Sequence, residues 1–437
     1  MTAPFGVPLV GNDWTALEGA VPPPRSVSVI VAHFDQQPQL DRTLAALQRQ
    51  SHPAGLLEII VADDGSPEPP RAPAGVTIVR HEDRGFRLAA VRNLGARRAT
   101  GDVLCFLDAD TTPEPDFVAR IARLPSLAPD VVAVGRRRHA ALDGLPTDAP
   151  IELAGPEHAI AEPAWLREAY RGSRDLRDSD ARAYRFVIGA VLACSRWLFD
   201  DVGGFDETFE AYGGEDWEWA HRAWQGGAAL AHIPDAVAWH DGPDWAGRDA
   251  ADRIRRKNDE TLRLLRAIPV PGAAPRALLG PTADVHVALH RAPSIAAGVV
   301  CVDTVLQALP TARVVVPAEL RTVLGDDPRV VTSPPSPTRA RVDLVDAVHV
   351  DRAGADALRA AVASVGDGDV GAIALGGRAL VRASRAVARD RRWGRATGWR
   401  TLERSGDGLA LLPAATDLEA YLGGWFAPDD AERAARS

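Results

Sequence analysis

Short hydrophobic runs alternate with amphipathic stretches along the first quarter of the chain. Val27-Ser-Val-Ile-Val-Ala32 and Leu57-Glu-Ile-Ile-Val-Ala62 are β-branched and almost free of polar interruption, the pattern of strands buried on both faces. Between them Leu40, Leu44 and Leu47 recur at steps of four and three, which places them on one helical face. Val76-Thr-Ile-Val79, a helical stretch through Gly95 and Ala96, and Val103-Leu-Cys-Phe-Leu107 repeat the alternation. Successive β-α-β units predict a parallel α/β layer structure, with functional loops at the carboxyl ends of its strands.

Punctuation divides the chain. Pro22-Pro-Pro24 closes a Gly/Pro-rich leader, residues 1–24. A charged helical stretch from Arg253 to Arg266 runs into Ile268-Pro-Val-Pro-Gly-Ala-Ala-Pro, so the first domain is read as 25–268 and a linker as 269–281. Val285–Leu289, Arg313–Val316, Val342–Val345 and Ala372–Leu375 then read as strands among alanine-rich helices, giving a second α/β domain at 282–425 and a tail at 426–437. Val342-Asp-Leu-Val-Asp-Ala-Val-His-Val-Asp351 parallels Asp102-Val-Leu-Cys-Phe-Leu-Asp-Ala-Asp110, and Gly377–Arg385 parallels Gly189–Arg196. These pairs fit a worn internal repeat, and they fit equally two unrelated α/β domains of biased composition.

Composition narrows the functional classes. At 437 residues, 46% hydrophobic and 25% charged, the chain has the makings of folded domains rather than of disorder or fibre. A formal charge of -9 leaves no global footprint for nucleic acid or an anionic membrane. Cys105, Cys194 and Cys301 each lie in an apolar run without CxxC spacing, as expected of buried thiols rather than disulfides or a thiolate zinc site. With no basic-then-apolar leader and no apolar run approaching 18 residues, the expectation is a cytoplasmic protein without a transmembrane segment, peripheral membrane contact remaining open. Lys257 is the only lysine, and it carries no chemical expectation.

Four clusters can carry chemistry. Asp108-Ala-Asp110 follows an apolar strand directly, and the alternation of an extended chain lets both carboxylates point one way. Such a pair suits Mg²⁺ or Mn²⁺ on a diphosphate, and it also suits an acidic turn. Asp63-Asp-Gly-Ser66 ends an earlier strand, where an α/β crevice takes nucleotides, and the same residues make an ordinary turn. Arg84, Arg87 and Arg92, with Asn93, lie between Gly85 and Gly95 or just outside them, where arginine can meet phosphate; a solvated helix face is the alternative. Gly213-Gly214 precede Glu215-Asp216, so a close-approach backbone can present a carboxylate as a base, or the same acids can cap a helix. Trp217, Trp219 and Tyr212 stand beside them and offer faces for sugar rings, although helix or strand geometry turns the two tryptophans apart. His240 follows an apolar stretch and is a third potential metal ligand. Residues 139–184, with Trp165, Tyr170 and Tyr184, have the placement of an acceptor loop.

In this order the motifs resemble family 2 glycosyltransferases of the GT-A fold, over residues 25 to 245. Gly203-Gly-Phe-Asp-Glu through Gly213-Gly-Glu-Asp and Arg222-Ala-Trp-Gln-Gly-Gly is similar to the segment shared by β-1,4-galactosyltransferases, the bacterial chondroitin polymerase and polypeptide N-acetylgalactosaminyltransferases. The resemblance implies that Asp63 or Asp64 contacts base and ribose and that Asp110 binds metal with Asp108 near ribose and phosphate. It further implies that His240 completes the metal site, that Asp216 is the catalytic base and that Glu215 orients donor or acceptor. The retaining polypeptide transferases carry Asp-x-His and Glu-Asn where this chain has Asp-Ala-Asp and Glu-Asp, which favours inversion.

The expected fold is therefore α/β, of the GT-A (nucleotide-diphospho-sugar transferase) type, with a second, smaller α/β domain that a degenerate GT-A-like repeat would explain. The expected function is a metal-dependent, inverting transfer of a hexose or N-acetylhexosamine from a UDP-sugar to a glycan, lipid-linked or small-molecule hydroxyl. Mn²⁺ or Mg²⁺ is the expected cofactor. The alternative is a transferase-like protein that binds sugar or acts as a scaffold without catalysis. A nucleotidyltransferase would show a glycine- and arginine-rich loop after the first strand, where this chain has Ala32-His-Phe-Asp-Gln-Gln.

Overall fold

The computed structural model describes residues 3–243, 250–275, 278–334 and 338–423, with the side chains of 250–253 excepted. The tail expected at 426–437 lies outside the described residues. The chain divides into two compact units: the first runs to Leu264 and takes in Ala388–Gly398, the second comprises Leu265–Val387 and the residues from Trp399 on.

In chain order the first unit contains β1 (Val27–His33), α1 (Gln37–Leu47), β2 (Leu57–Asp63), β3 (Thr77–Arg80), α2 (Leu88–Arg98), β4 (Val103–Asp108), β5 (Thr111–Pro113) and α3 (Phe117–Leu127). There follow β6 (Val131–Ala140), α4 (Ile151–Glu157), α5 (Ala164–Gly172), β7 (Val191–Ser195), α6 (Arg196–Val202), α7 (Glu215–Gln225), β8 (Ala229–Asp241) and α8 (Ala250–Ala267). The eight-stranded sheet has the order β3-β2-β1-β4-β7-β6-β8-β5. β1 is central and buried along its whole length, as its uninterrupted apolar run demands. Its parallel partners β2 and β4 end level with it, Ala32 opposite both Ala62 and Asp108, so the acidic residues that follow these strands emerge along one edge. The parallel layer read from the β-α-β units holds for β3, β2, β1 and β4, and the sheet as a whole is mixed, because β7 runs antiparallel to β4 and β6, and β5 antiparallel to β8. That reversal returns the chain across the sheet and brings the end of β8 beside the Asp108-Ala-Asp110 turn, with Thr111 opposite His240.

The second unit contains β9 (Val285–Arg291), α9 (Ile295–Ala308), β10 (Arg313–Val315), α10 (Ala318–Leu324), β11 (Ala340–Asp346), β12 (Val348–Val350) and α11 (Arg352–Ser364). It continues with β13 (Val370–Leu375), β14 (Ala379–Ala383), α12 (Ser384–Trp393), which passes into the first unit at Ala388, then β15 (Arg400–Arg404), β16 (Leu409–Leu411) and α13 (Leu418–Tyr421). Six strands make one sheet, β10-β9-β11-β14-β13-β15, and β12 pairs with β16. Its core is aliphatic, built on Val287, Leu289, Val342, Leu344, Ile373 and Val381 under α9 and α11.

The sequence reading placed 282–425 in the second domain, whereas Ala388–Gly398 groups with the first unit. The reason is electrostatic. Asp130 is fully buried and receives the Arg392 guanidinium, the Trp393 indole and, at 3.9 Å, Arg389. Arg389 also gives hydrogen bonds to the carbonyls of Leu9, Gly11 and Gly227. A buried carboxylate without these cations would be strongly destabilising. Among the described residues no helix is long and apolar enough to cross a membrane.

Candidate active site

A cavity of about 600 Å³ opens on the first unit, lined by Arg92, Asp108, Gly189, Glu215, Asp216 and Trp217 together with Arg137, Trp165, Arg185, Phe186, Tyr212, Lys257 and Glu260. α7 starts at its wall. Gly213 and Gly214 have φ of +87° and +101°, a left-handed backbone that glycine alone adopts without strain. The first helical turn then carries Glu215, Asp216 and Glu218, acids placed where the helix dipole favours negative charge.

The two carboxylates at the head of α7 are held differently. Glu215 Oε1 accepts from Arg92 Nη1 at 2.9 Å, while Oε2 is buried and makes no hydrogen bond among the described residues. Burial, and next the adjacent Asp216 charge, push the Glu215 carboxyl up to about 7 against the opposing pull of Arg92. Asp216 accepts from the backbone N–H groups of Gly189 at 3.2 Å and of Trp217 at 2.8 Å. Burial raises its carboxyl too, with Arg92 and those N–H groups opposing.

Arg92 links the two sides of the cavity. Its other terminal nitrogen reaches Asp108 Oδ1 at 2.8 Å, so one buried guanidinium bridges β4 to α7. Burial alone would lower its pKa, but Asp108 and Glu215 raise it and keep it charged. A Cβ on Gly189 would sit 2.6 Å from its Nη1, so the glycine is what admits the arginine.

Past β4, Asp110 Oδ2 faces His240 Nε2 at 3.6 Å. His240 Nδ1 lies 3.2 Å from the Gly242 carbonyl and donates to it, which turns Nε2 toward the carboxylate. Burial raises the Asp110 carboxyl, His240 opposes, and Asp108 adds to the rise. An oxygen and an imidazole nitrogen facing across this gap are a donor set suited to a divalent transition ion. Asp108 turns to Arg92 instead, and among the described residues no three His, Cys, Asp or Glu side chains converge on one point.

Residues 28–189 match Glycosyl transferase family 2, and residues 179–238 match the N-terminal domain of galactosyltransferase. The first unit carries a family 2 glycosyltransferase domain. Among curated relatives, the chondroitin synthase of Escherichia coli is 29% identical over 266 residues, 56% of this chain and 38% of that protein. The hyaluronan synthase of Pasteurella multocida is 30% identical over 266 residues, 55% of this chain and 27% of that protein. The validoxylamine A glucosyltransferase of Streptomyces hygroscopicus subsp. limoneus is 30% identical over 222 residues, 45% of this chain and 47% of that protein. The chain thus spans half or less of the length of each of these three relatives. A solved mannosyltransferase from Pyrobaculum calidifontis, in complex with GDP-Man and Mn²⁺, aligns with TM-score 0.42 at 23% identity over 60% of this chain and 71% of its own.

Within the transferase domain several expected site residues have other work. Asp63 is fully buried, and both its oxygens are engaged by His33, Ser66 and Arg80, so it clamps the ends of β1 and β2 and has nothing to offer a nucleotide. Asp64 accepts from the Arg87 backbone at 2.8 Å and pairs with His81. Arg84 points into solvent beside Glu82, and the Arg87 side chain does not line the cavity. Asn93 holds the Phe205 backbone through both its amide atoms and reaches Glu207 at 3.0 Å; it fixes the turn after α6 rather than a donor. Trp219 is fully buried against Phe199 and Phe205, a core side chain, because two residues along a helix turn it away from Trp217. Trp217 and Tyr212 do line the cavity. Of the expected acceptor loop, Trp165 reaches the cavity, Tyr170 is buried against His232 at 3.7 Å, and Tyr184 packs edge-on to Trp217.

The sequence reading missed Arg137, Arg185, Phe186, Lys257 and Glu260. Lys257 stands 4.2 Å from the centre of the Trp217 ring and 2.7 Å from Glu260. Being the one lysine in an arginine-rich chain was the available signal.

Proposed function

We propose that the first unit is a metal-dependent, inverting glycosyltransferase that moves a hexose or N-acetylhexosamine from a UDP-sugar to a hydroxyl of a glycan, lipid-linked or small-molecule acceptor. The observation that carries this is Arg92, buried between Asp108 on the Asp-Ala-Asp turn and Glu215 beside Asp216, which ties the expected donor side to the expected base across one cavity.

Asp110 and His240 are the ligands for Mn²⁺ or Mg²⁺, and a bound ion supplies neutralisation of the charge that develops on the departing diphosphate. Asp108, fixed by Arg92, lies where ribose and phosphate enter. Asp216 takes the proton of the acceptor hydroxyl on a carboxylate already aimed by the Gly189 N–H at Oδ2 and the Trp217 N–H at Oδ1. The hydroxyl oxygen forms its bond to the anomeric carbon as the bond to the diphosphate breaks on the opposite face, so one displacement inverts that centre. A carboxyl raised by burial is the stronger base for this step. Glu215 Oε2, without a partner, is free to accept from a sugar hydroxyl. Trp217, Tyr212, Trp165 and Phe186 supply faces for pyranose rings.

Titration calorimetry with UDP and with GDP, each with and without Mn²⁺, tests the reading. Metal-dependent UDP binding is expected. Binding of neither nucleotide under any metal condition would leave a transferase-like fold without donor chemistry.

A further inference from the structure

The two units share one strand plan. From β2 to β8 the first sheet runs β2-β1-β4-β7-β6-β8, with pairings parallel, parallel, antiparallel, antiparallel, parallel. The second runs β10-β9-β11-β14-β13-β15 with the same five directions in the same order. The small pairings agree as well: β5 is antiparallel to the end of β8, as β12 is to β16. Chain order also matches, since in each unit the strand paired second from the right-hand end precedes its neighbour in sequence.

Strand register then sets residue against residue. Val27 lies opposite Val103, which lies opposite Ser195; Val285 lies opposite Ala340, which lies opposite Ala383. Val132 opposite Cys194 and Ala372 opposite Arg382 preserve the same offset. Counting from Val103 and Ala340, the place of Asp108 is taken by Val345 and the place of Asp110 by Ala347. Thr111 faces His240 where Val348 faces Leu411. Every position that carries a proposed metal or diphosphate contact in the first unit thus carries an aliphatic side chain in the second. The segment between β7 and β8 holds α6 and α7, whereas that between β14 and β15 holds only α12, which starts at the strand end as α6 does. The acidic helix with Glu215 and Asp216 has no counterpart among the described residues.

We infer that the second unit is a copy of the transferase fold from which the donor site has been removed, so the chain holds one nucleotide-sugar site and makes one kind of linkage. For the first unit this rests on the function proposed above; for the second it rests on register and residue type alone.

Hydrogen exchange of the full chain with UDP and Mn²⁺, and with GDP and Mn²⁺, together with calorimetric stoichiometry, decides the matter. The expected result is one mole of nucleotide per chain, slowed exchange confined to peptides of the first unit, within 27–264 and 388–398, and loss of that slowing in Asp110→Asn. Two moles per chain, or nucleotide-dependent slowing anywhere in 285–315, 340–387 or 399–411, would overturn the inference. No slowing anywhere would defeat the reading of the first unit while agreeing with an empty second one, so the two failures are distinct.

Discussion

The face of the first sheet that lies over β1, β4 and β7 and the matching face of the second sheet use the same register for opposite ends. In the first unit Ile30, Leu104 and Phe106 are fully buried there, with Phe199 and Phe205 packed on Phe106 and α2 so close that a Cβ on Gly95 would meet Ile30 at 2.4 Å. In the second unit the places of Leu104, Phe106 and Cys194 hold Arg341, Asp343 and Arg382, and Asp343 accepts from both arginines and from His290 at 2.9 to 3.1 Å. The first unit places α2 between its β3 and β4 and α7 before its β8, and their apolar faces need an apolar sheet beneath them. A sheet face with charged side chains can instead remain hydrated or satisfy itself by ion pairs. Strand order therefore sets where a site can be, and the helices laid over the strand ends decide whether one is built.

Substitutions can sharpen or break that contrast. The largest effect is expected from Asp216→Asn, which should lower transfer by about 10²–10⁴-fold, the range for losing a general base, while UDP binding persists in calorimetry. Asp346→Asn, close to the turn matching Asp108-Ala-Asp110, should leave the rate unchanged; comparable losses in both would show that the second unit takes part in chemistry. Next is Arg392→Ala, which leaves Asp130 buried without its main partner and should cost about 3–5 kcal/mol, read as a fall in the unfolding midpoint. A chain ended before Ala388 should lose the first unit's stability for the same reason, and an undiminished midpoint in either would refute the assignment of Ala388–Gly398 to that unit. Trp219→Ala should cost about 3–5 kcal/mol of stability, whereas Trp217→Ala should raise the acceptor KM and leave the midpoint nearly unchanged. Exchange of these two outcomes would reverse the assignment of core and cavity.

The smallest effect concerns pH. Burial lowers the His221 imidazole to about 3, below its unfolded value of about 6.5, so the unfolded chain binds the extra proton between these limits. His221 therefore contributes stability that is fully present above about pH 6.5 and drains away as pH falls toward 3, by at most about 1.4 kcal/mol per pH unit. His221→Gln should flatten the fall in unfolding midpoint between pH 7 and pH 5. An equally steep fall in the variant would place the pH dependence elsewhere, for instance at His286, which burial lowers to about 4.

The strands of the first sheet were legible because apolar, β-branched runs have few alternatives, and Val27–Ala32 and Leu57–Ala62 come within one residue of β1 and β2. Short strands such as β5, β12 and β16, three residues each, were not, since so few residues show no period. Their partners are remote in sequence, so only tertiary pairing makes them strands. Motif order was equally legible: Asp108, Glu215 and Asp216 were each named from the sequence and line one cavity, with Asp110, just after β4, facing His240 near the end of β8. Their division of labour was not, because which carboxylate Arg92 takes depends on where two chain segments 123 residues apart meet.

By itself the sequence determined the alternation of elements, the acidic ends of β2, β4 and the head of α7, and the family. These are local properties: the period of apolar residues, the turn residues and the spacing within motifs. Tertiary structure alone decided that Asp63 and Asn93 are clamps, that Trp219 is core while Trp217 is wall, that Ala388–Gly398 completes the first unit, and that a second sheet repeats the plan of the first. Each of those depends on burial or register between distant segments. The free energy of a buried charge or of a paired strand is set by what lies opposite, and no stretch of one chain carries that information until the fold has formed.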